Sequence, residues 1–293
     1  MKSLALGMVF LLTVCFSSYS QAQTLEWKLE KGQSLAIESS HELVTIIKWP
    51  DGSAQEMPMK QQIDTEWKIS DSDQKSFAVE ATIKRVRASM KSPLINVDYD
   101  SEKNEEPKDP VGKQIAASTK QTLGIPVAMK IGRRGNLLEM KLPETFQKLG
   151  SSPANPLPSG SLEPLFAPSE QLQLPEGEMT LGRQWERSIN SNVSGLQTKS
   201  QVKYRYEGTL QEEGRTLAKF HTDVTTELVR SPPEMEIALE DTGSDGEIFF
   251  DMELGCISKA VQRQKFRVSM SVGGRKLSQD IEGSTTTIYR LAN

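Results

Sequence analysis

Apolar and polar side chains alternate along most of the chain, which is the pattern of β-strands that have one apolar face. In the first half the alternation runs from Leu35 to Trp49, from Met57 to Ile69 and from Phe77 to Ile83. Two groups of turn-forming residues, Pro50-Asp51-Gly52 and Asp71-Ser72-Asp73, separate these runs. Short turns join antiparallel neighbours, so the pattern predicts a three-stranded meander.

The period changes in two places of the first half. It slips near Arg85, as it does at a β-bulge. Further along, apolar positions recur at helical spacing and stop before Gly124; they are Val111, Ile115, Thr119 and Leu123. We therefore expect an acidic loop and one helix to be inserted at residues 98–124, followed by a tight hairpin at residues 132–135.

The second half repeats the pattern of the first. Alternating runs cover residues 185–193, 202–210 and 218–228. A further hairpin is expected to open at Asp245-Gly246 and to turn at Gly255, and strands are expected on either side of Gly273-Gly274. The two halves align at Gly32-Gln33-Ser34-Leu35 with Gly182-Arg183-Gln184-Trp185, at residues 77–83 with 217–220, and at residues 129–137 with 249–257. Such a correspondence indicates an internal repeat.

Together these patterns predict an all-β protein of two related antiparallel β-meander domains, each a half-barrel or barrel-like, with one helix in the first. Six of the 15 prolines lie between residues 150 and 175, a composition typical of a linker. The predicted organisation is a signal peptide at 1–22, a first domain at 23–149, a linker at 150–175 and a second domain at 176–293.

The first 22 residues have the features of a secretory signal peptide. Lys2 precedes an apolar run from Leu4 to Phe16, and Ser20-Gln21-Ala22 offers small residues at a cleavage site. The apolar run is too short to span a bilayer. We expect cleavage near Ala22 and a periplasmic or secreted protein; the alternative is lipid anchoring at Cys15, which follows Leu12-Thr13-Val14.

Composition excludes several classes of function. The net charge of −4 and the expected export argue against a nucleic-acid partner, and no later segment is apolar enough to span a membrane. Beyond the leader the chain has two histidines and one cysteine, and it lacks the common metal and triad motifs. We expect His41 to be half-buried, His221 to face solvent and Cys256 to be a buried apolar residue, and we predict no metal and no cofactor.

Two acidic features leave alternatives open. The loop Asp98-Tyr99-Asp100-Ser101-Glu102 places oxygens at alternate positions, as in a calcium loop, but Lys103 stands where the turn needs glycine. A solvated acidic loop is the other interpretation. A hydrolase that uses a carboxylate pair is a third hypothesis. No pair stands out among the 39 acidic residues, so we predict that the protein is not an enzyme.

Aromatic residues of the second half are the candidate binding residues. An antiparallel sheet with one apolar face must close, pack on another layer or hold an apolar ligand. The candidate ligand-lining residues are Trp185, Tyr204, Tyr206, Phe220 and Phe250. The alternative is that these five residues form the core of the second domain.

Three short motifs carry a resemblance to a known family. They are Gly182 to Trp185, Tyr99-Asp100-Ser101 before the acidic loop and helix, and the late hairpin Asp251 to Ile257. Together they resemble a family of bacterial secreted proteins and lipoproteins, of planctomycete type, that has no assigned activity. The resemblance covers nearly the whole chain beyond the leader and implies no catalytic residues. At the level of fold, the chain is also similar to the half-barrels of periplasmic lipoprotein and lipid carriers.

The leading hypothesis is therefore an exported, non-enzymatic binding protein whose partner is a lipid or other apolar ligand, or a cell-envelope protein. The second hypothesis is a structural or interaction protein of the cell envelope that has no small-molecule ligand and binds through edge strands or the linker.

Overall fold

The computed structural model describes eight stretches of the chain. They are residues 24–93, 95–103, 105–146, 166, 171–193, 196–231, 236–272 and 275–292. The expected signal peptide, Cys15 and most of the expected linker lie outside these described residues.

The described chain forms twelve strands and a helix, which confirms the predicted all-β class. The elements are β1 (Ser34–Lys48), β2 (Ala54–Ser72), β3 (Ser76–Lys91), β4 (Asn96–Asp100), α1 (Pro110–Thr122), β5 (Pro126–Gly132), β6 (Leu137–Lys141), β7 (Gln184–Val193), β8 (Leu196–Glu212), β9 (Arg215–Arg230), β10 (Glu236–Asp251), β11 (Cys256–Val272) and β12 (Arg275–Leu291). The bulge predicted near Arg85 is present, because the register of β2 with β3 shifts between Asp64 and Thr65, opposite residues 83–85.

The predicted meanders are two parts of one antiparallel sheet. Its strand order is β6-β5-β3-β2-β1-β12-β11-β10-β9-β8-β7, with β4 paired to β3. The strands β1 and β12 join the two parts, from Leu35 opposite Leu291 to Lys48 opposite Ser278. Joining the meanders satisfies the backbone hydrogen bonds of two long strands that would otherwise be edges.

The internal repeat is visible at its first predicted position. Gly32 and Gly182 both have left-handed backbones, with φ of +89° and +81°. The amide of Gly32 donates to the Ile69 carbonyl at 2.9 Å, and the amide of Gly182 donates to the Tyr206 carbonyl at the same distance. In each half, therefore, the glycine lies just before the first strand and is hydrogen-bonded to a residue towards the end of the second strand.

Register assigns every strand residue to one of two faces, because paired residues of antiparallel strands project to the same side. We call the side that carries Leu35, Trp67 and Phe220 the inner face. The opposite side, the outer face, carries ion pairs between neighbouring strands, such as Lys60 with Glu42 at 2.9 Å and Arg263 with Asp245 at 2.9 Å.

Among the described residues, the hydrophobic core covers one end of the inner face. The segment before β1 lays Trp27 and Leu29 on it, and Trp27 contacts the rings of Phe77 at 6.3 Å and Phe250 at 6.0 Å. The end of the linker adds the buried Leu172. We call this part the covered half, and it contains buried residues of both meanders in one cluster.

The helix predicted in the first meander is present. Asp109 caps its first turn, where its carboxylate accepts a hydrogen bond from the Val111 amide at 2.8 Å. The helix ends at Thr122, with Gly124 just beyond at φ of +75°. It packs on β4, the strand that carries the buried Tyr99. Within the described residues, no helix is long and apolar enough to span a membrane.

Candidate functional site

The long strands carry the inner face well beyond the covered half. We call this extension the open half; it comprises the inner-face residues from the row of Leu43 to the hairpins at the far strand ends. Its apolar side chains are half-buried and no described segment covers them; they include Leu43, Met59, Phe266, Val268, Leu239, Val224 and Leu228. An apolar surface of this extent on a protein usually serves binding.

The open half is also free of charge across most of the sheet. In the described parts of β1 to β3 and β8 to β12, register places only Arg275 among Asp, Glu, Lys and Arg residues on the inner face, bulge positions aside; Arg275 lies at the far hairpin end of β12, opposite Val272. Arg187, on the edge strand β7, is a second charged residue on this face. The other charged residues of the same strands lie on the outer face, so the two faces differ sharply in polarity.

A cavity of about 350 Å³ lies on the second-meander part of the open half. Its walls are apolar and hydroxyl side chains of β8 to β11; they include Leu196, Ser200, Thr226, Leu239, Phe266 and Val268. The volume falls in the range of roughly 300–1,000 Å³ that small-molecule sites occupy. Lys265 also borders this cavity, but its ammonium group lies 3.5 Å from the carboxylate of Glu282.

Two other cavities are lined mainly by outer-face residues. The larger, of about 1060 Å³, follows the middle of the sheet and includes Arg267, which pairs with Asp280 at 2.6 Å. The smaller, of about 370 Å³, includes Asp100, whose carboxylate accepts two hydrogen bonds from Arg85. The charged walls of both cavities contain ion pairs, so we do not assign a ligand to either.

The structure brings four of the five predicted ligand-lining residues into one packed cluster. Trp185 stacks on Tyr204 at 5.1 Å, and Phe220 contacts Trp185 at 5.8 Å and Tyr206 at 5.4 Å. All but the half-buried Trp185 are buried, and Phe250 packs separately against Trp27.

The end of the linker covers this aromatic cluster. The Tyr204 hydroxyl donates to the Gln171 carbonyl at 3.0 Å, and the Trp185 indole donates to the Gln173 carbonyl at 2.9 Å. The predicted residues thus form hydrophobic core, which was the alternative interpretation. The apolar residues of the open half were missed, although the unusual length of the alternating strands, up to 19 residues in β2, marked them.

The histidines lie where the sequence predicted. His41 is half-buried on the inner face, and its Nδ1 lies 3.0 Å from the Thr285 hydroxyl. Burial lowers the pKa of the His41 imidazole, so it is neutral at neutral pH. His221 is on the outer face, 3.3 Å from Asp223.

The acidic loop and the cysteine have no arrangement that suggests chemistry. Arg85 pairs with both Asp100 and Glu102, and no group of three or more metal-binding side chains occurs among the described residues. Cys256 is buried, and burial raises the pKa of its thiol to about 12. A thiol that is protonated at neutral pH is a poor nucleophile, as expected for a packing residue.

Comparisons with known proteins give a distant likeness of fold. No family model matches this chain, and no curated protein matches it. Among solved structures, a lipovitellin structure concerned with lipid-protein interactions superposes with a TM-score of 0.48 and 9% identity, over 91% of this chain and 26% of that chain. This chain therefore spans about a quarter of the lipovitellin chain. A likeness at this level carries no functional argument, so the resemblance to secreted bacterial proteins stays a prediction.

Proposed function

We propose that this protein is a binding protein that holds a hydrocarbon chain on the open half of its inner face and catalyses no reaction. The observation that carries the proposal is the contrast within one face. The covered half is sealed by the chain's own Trp27, Leu29 and Leu172, whereas no segment among the described residues covers the apolar side chains of the open half.

The energetic case rests on apolar area that stays in contact with water. Side chains such as Leu43, Phe266 and Leu239 are only half-buried, so a ligand laid on them removes water from both surfaces. Burial of apolar area stabilises a complex by about 25 cal/mol per Å², or about 0.8 kcal/mol per methylene. A ligand with a long hydrocarbon chain would therefore gain more than a small polar one.

The groups available on the open half support the proposal that it catalyses no reaction. Among the described inner-face residues of the open half, no carboxylate, lysine or cysteine is present, and the imidazole of His41 borders it. General acid-base or nucleophilic catalysis normally needs such groups in a matched pair. The surface offers van der Waals contact and a few uncharged hydrogen-bonding groups instead.

Binding can be measured with the methyl ester of cis-parinaric acid, whose fluorescence rises in an apolar environment. We expect Leu239→Asp to weaken binding at least about tenfold, because an unpaired carboxylate on this face would have to be desolvated. The matched control is Ala238→Asp, which places the same charge on the outer face of the same strand. Equal binding by both variants and the wild type would contradict the proposed site.

Each variant is compared with the wild type by circular dichroism and by its unfolding midpoint. A loss of binding at an unchanged midpoint is a loss of the site rather than of the fold. The bound ester is then extracted and analysed by mass spectrometry; recovery of the intact ester supports binding without catalysis, and recovery of the free acid would argue for a hydrolase.

We further propose that the protein acts outside the cytoplasm, after cleavage near Ala22. N-terminal sequencing of the protein from its own cell envelope tests this step. Native mass spectrometry of the same detergent-free material tests ligand binding: an added stoichiometric mass that is lost on organic extraction supports the proposal. A bare polypeptide mass would favour the structural or interaction protein of the cell envelope.

A further inference from the structure

A row of uncharged polar groups crosses the inner face where the covered half meets the open half. On neighbouring strands, register places Gln61 of β2, His41 of β1, Thr285 of β12 and Gln262 of β11 side by side. The next row towards the open half adds Gln264 of β11 and Ser244 of β10. We call these six residues the polar rows; beyond them the face is mainly apolar.

The polar rows keep hydrogen-bonding capacity for a ligand. His41 contacts Thr285, and the Gln262 amide donates to the Ser244 hydroxyl at 3.0 Å. The side-chain amides of Gln61 and Gln264 make no hydrogen bond with the described part of the chain, and both are partly accessible. A half-accessible amide offers both a donor and an acceptor to an oxygen-bearing group that displaces its water.

The same rows offer nothing to neutralise an anion. On the described strands, bulge positions aside, the inner-face cations are Arg187, beyond β8, and Arg275, at the far hairpin end of β12, so neither adjoins the polar rows of β1, β2, β11 and β12; the Lys265 ammonium group pairs with Glu282. His41 is neutral at neutral pH. Moving an ionised carboxylate or phosphate from water to a surface without a counter-charge is costly, whereas an ester or hydroxyl needs only hydrogen bonds.

We propose that the open half selects neutral amphiphiles, namely acyl esters and long-chain alcohols, whose oxygen groups bind at the polar rows. This inference rests on the proposed function and assigns it a ligand class. The covered core closes the face behind the polar rows, so the hydrocarbon chain extends from them over the apolar open half towards the far hairpins. Free fatty acids and anionic lipids are discriminated against by their charge.

The test compares four ligands with similar hydrocarbon chains at pH 8: methyl oleate, oleyl alcohol, oleate and 1-octadecene. Each competes with the methyl ester of cis-parinaric acid for the full-length protein, at concentrations below micelle formation. We expect methyl oleate and oleyl alcohol to compete at concentrations at least about tenfold lower than oleate, because the oleate carboxylate is ionised at this pH. We expect 1-octadecene to bind more weakly than the ester, because it leaves the polar rows without partners.

The outcomes separate this inference from the proposed function. Oleate competing as well as methyl oleate would overturn the neutral selectivity and leave the apolar site standing. Equal binding of 1-octadecene and methyl oleate would overturn the role of the polar rows. No binding of any of the four, nor of the fluorescent ester, would refute the proposed function itself.

Variants then test whether the polar group of the ligand binds at the polar rows. Gln61→Leu combined with Gln264→Leu should reduce the preference for methyl oleate over 1-octadecene towards one, while binding of 1-octadecene is kept. Gln62→Leu is the matched control, because Gln62 adjoins Gln61 but faces the outer side. Gln264→Lys should instead raise the affinity for oleate relative to methyl oleate, and no change in this ratio would contradict the proposed position of the ligand.

Discussion

Replacing Gly283 with alanine tests the tight joint between the two meanders. Gly283 lies on the inner face of β12, opposite Leu43 of β1. A Cβ at this position would overlap the carbonyl oxygen of Glu42 and lie 2.5 Å from Leu43 Cδ2 and 3.0 Å from Leu43 Cα. Two of these three atoms belong to the backbone of β1, so relief requires the paired strands to move apart by about 1 Å.

The magnitude follows from two opposing effects. Overpacking of this kind destabilises the folded protein by about 1–3 kcal/mol. Replacing glycine with alanine also lowers the conformational entropy of the unfolded chain, which stabilises the folded protein by about 0.4–1 kcal/mol. The backbone of Gly283 is outside the left-handed region, so no conformational strain is added. We therefore expect Gly283→Ala to lower the free energy of unfolding by about 1–2 kcal/mol, or the Tm by roughly 2–8 °C.

The matched control is Gly243→Ala on β10. A Cβ there meets no atom within 4 Å, and its backbone is also outside the left-handed region. Only the unfolded-state effect remains, so we expect unchanged or slightly increased stability. Both variants are measured by guanidinium unfolding followed by tryptophan fluorescence and circular dichroism. If Gly283→Ala were as stable as Gly243→Ala, the close approach of β1 and β12 at this row would be refuted.

Three further predictions concern residues of the core and the inner face. Trp185→Ala should lower the free energy of unfolding by about 2–4 kcal/mol, because the indole loses its stacking on Tyr204. The control Trp49→Ala, at an exposed turn, should lower it by less than about 1 kcal/mol. Equal losses in guanidinium unfolding would contradict core packing at residue 185. The Cys256 thiol should not react with Ellman's reagent at pH 8 until guanidinium unfolds the protein, because the thiol is buried and burial raises its pKa to about 12. Rapid reaction of this thiol in the native protein would contradict its burial. Burial lowers the pKa of His41 below 6.5, so as the pH falls the unfolded chain binds a proton at this imidazole before the folded protein does. The free energy of unfolding should therefore decrease from about pH 6.5 downward, and His41→Gln should flatten this pH dependence between pH 6.5 and 5. Identical slopes for the variant and the wild type would contradict the burial of His41.

The alternating pattern was sufficient to predict the strands but not their neighbours. A period of two residues tells which side chains share a face, and it correctly groups Leu35 with Ile37 and Phe220 with Thr222. It contains no information on which distant strand pairs with which, so the joint between β1 and β12 was missed. Local signals were more informative: the helical spacing from Val111 to Leu123 and the glycine that follows located the predicted helix.

The candidate site was only partly predictable for a related reason. Large aromatic residues such as Tyr204 and Phe220 stand out in a sequence, but such residues contribute the most when they are fully buried. Whether an alternating run is covered depends on where other segments pack, which the run itself does not reveal. The residues of the open half, such as Leu43 and Leu239, therefore have the same sequence pattern as core residues.

The pairing of β1 with β12 has a consequence for biogenesis. Residues 34–48 are made early, yet one side of this strand finds its partner only when residues 275–291 have been synthesised. Until then β1 is a long exposed edge beside apolar side chains, a combination that favours association with other chains. Contacts so distant in sequence also slow folding. We expect nascent chains that stop short of residue 275 to aggregate or to recruit a holding chaperone, and the complete chain to fold as a unit.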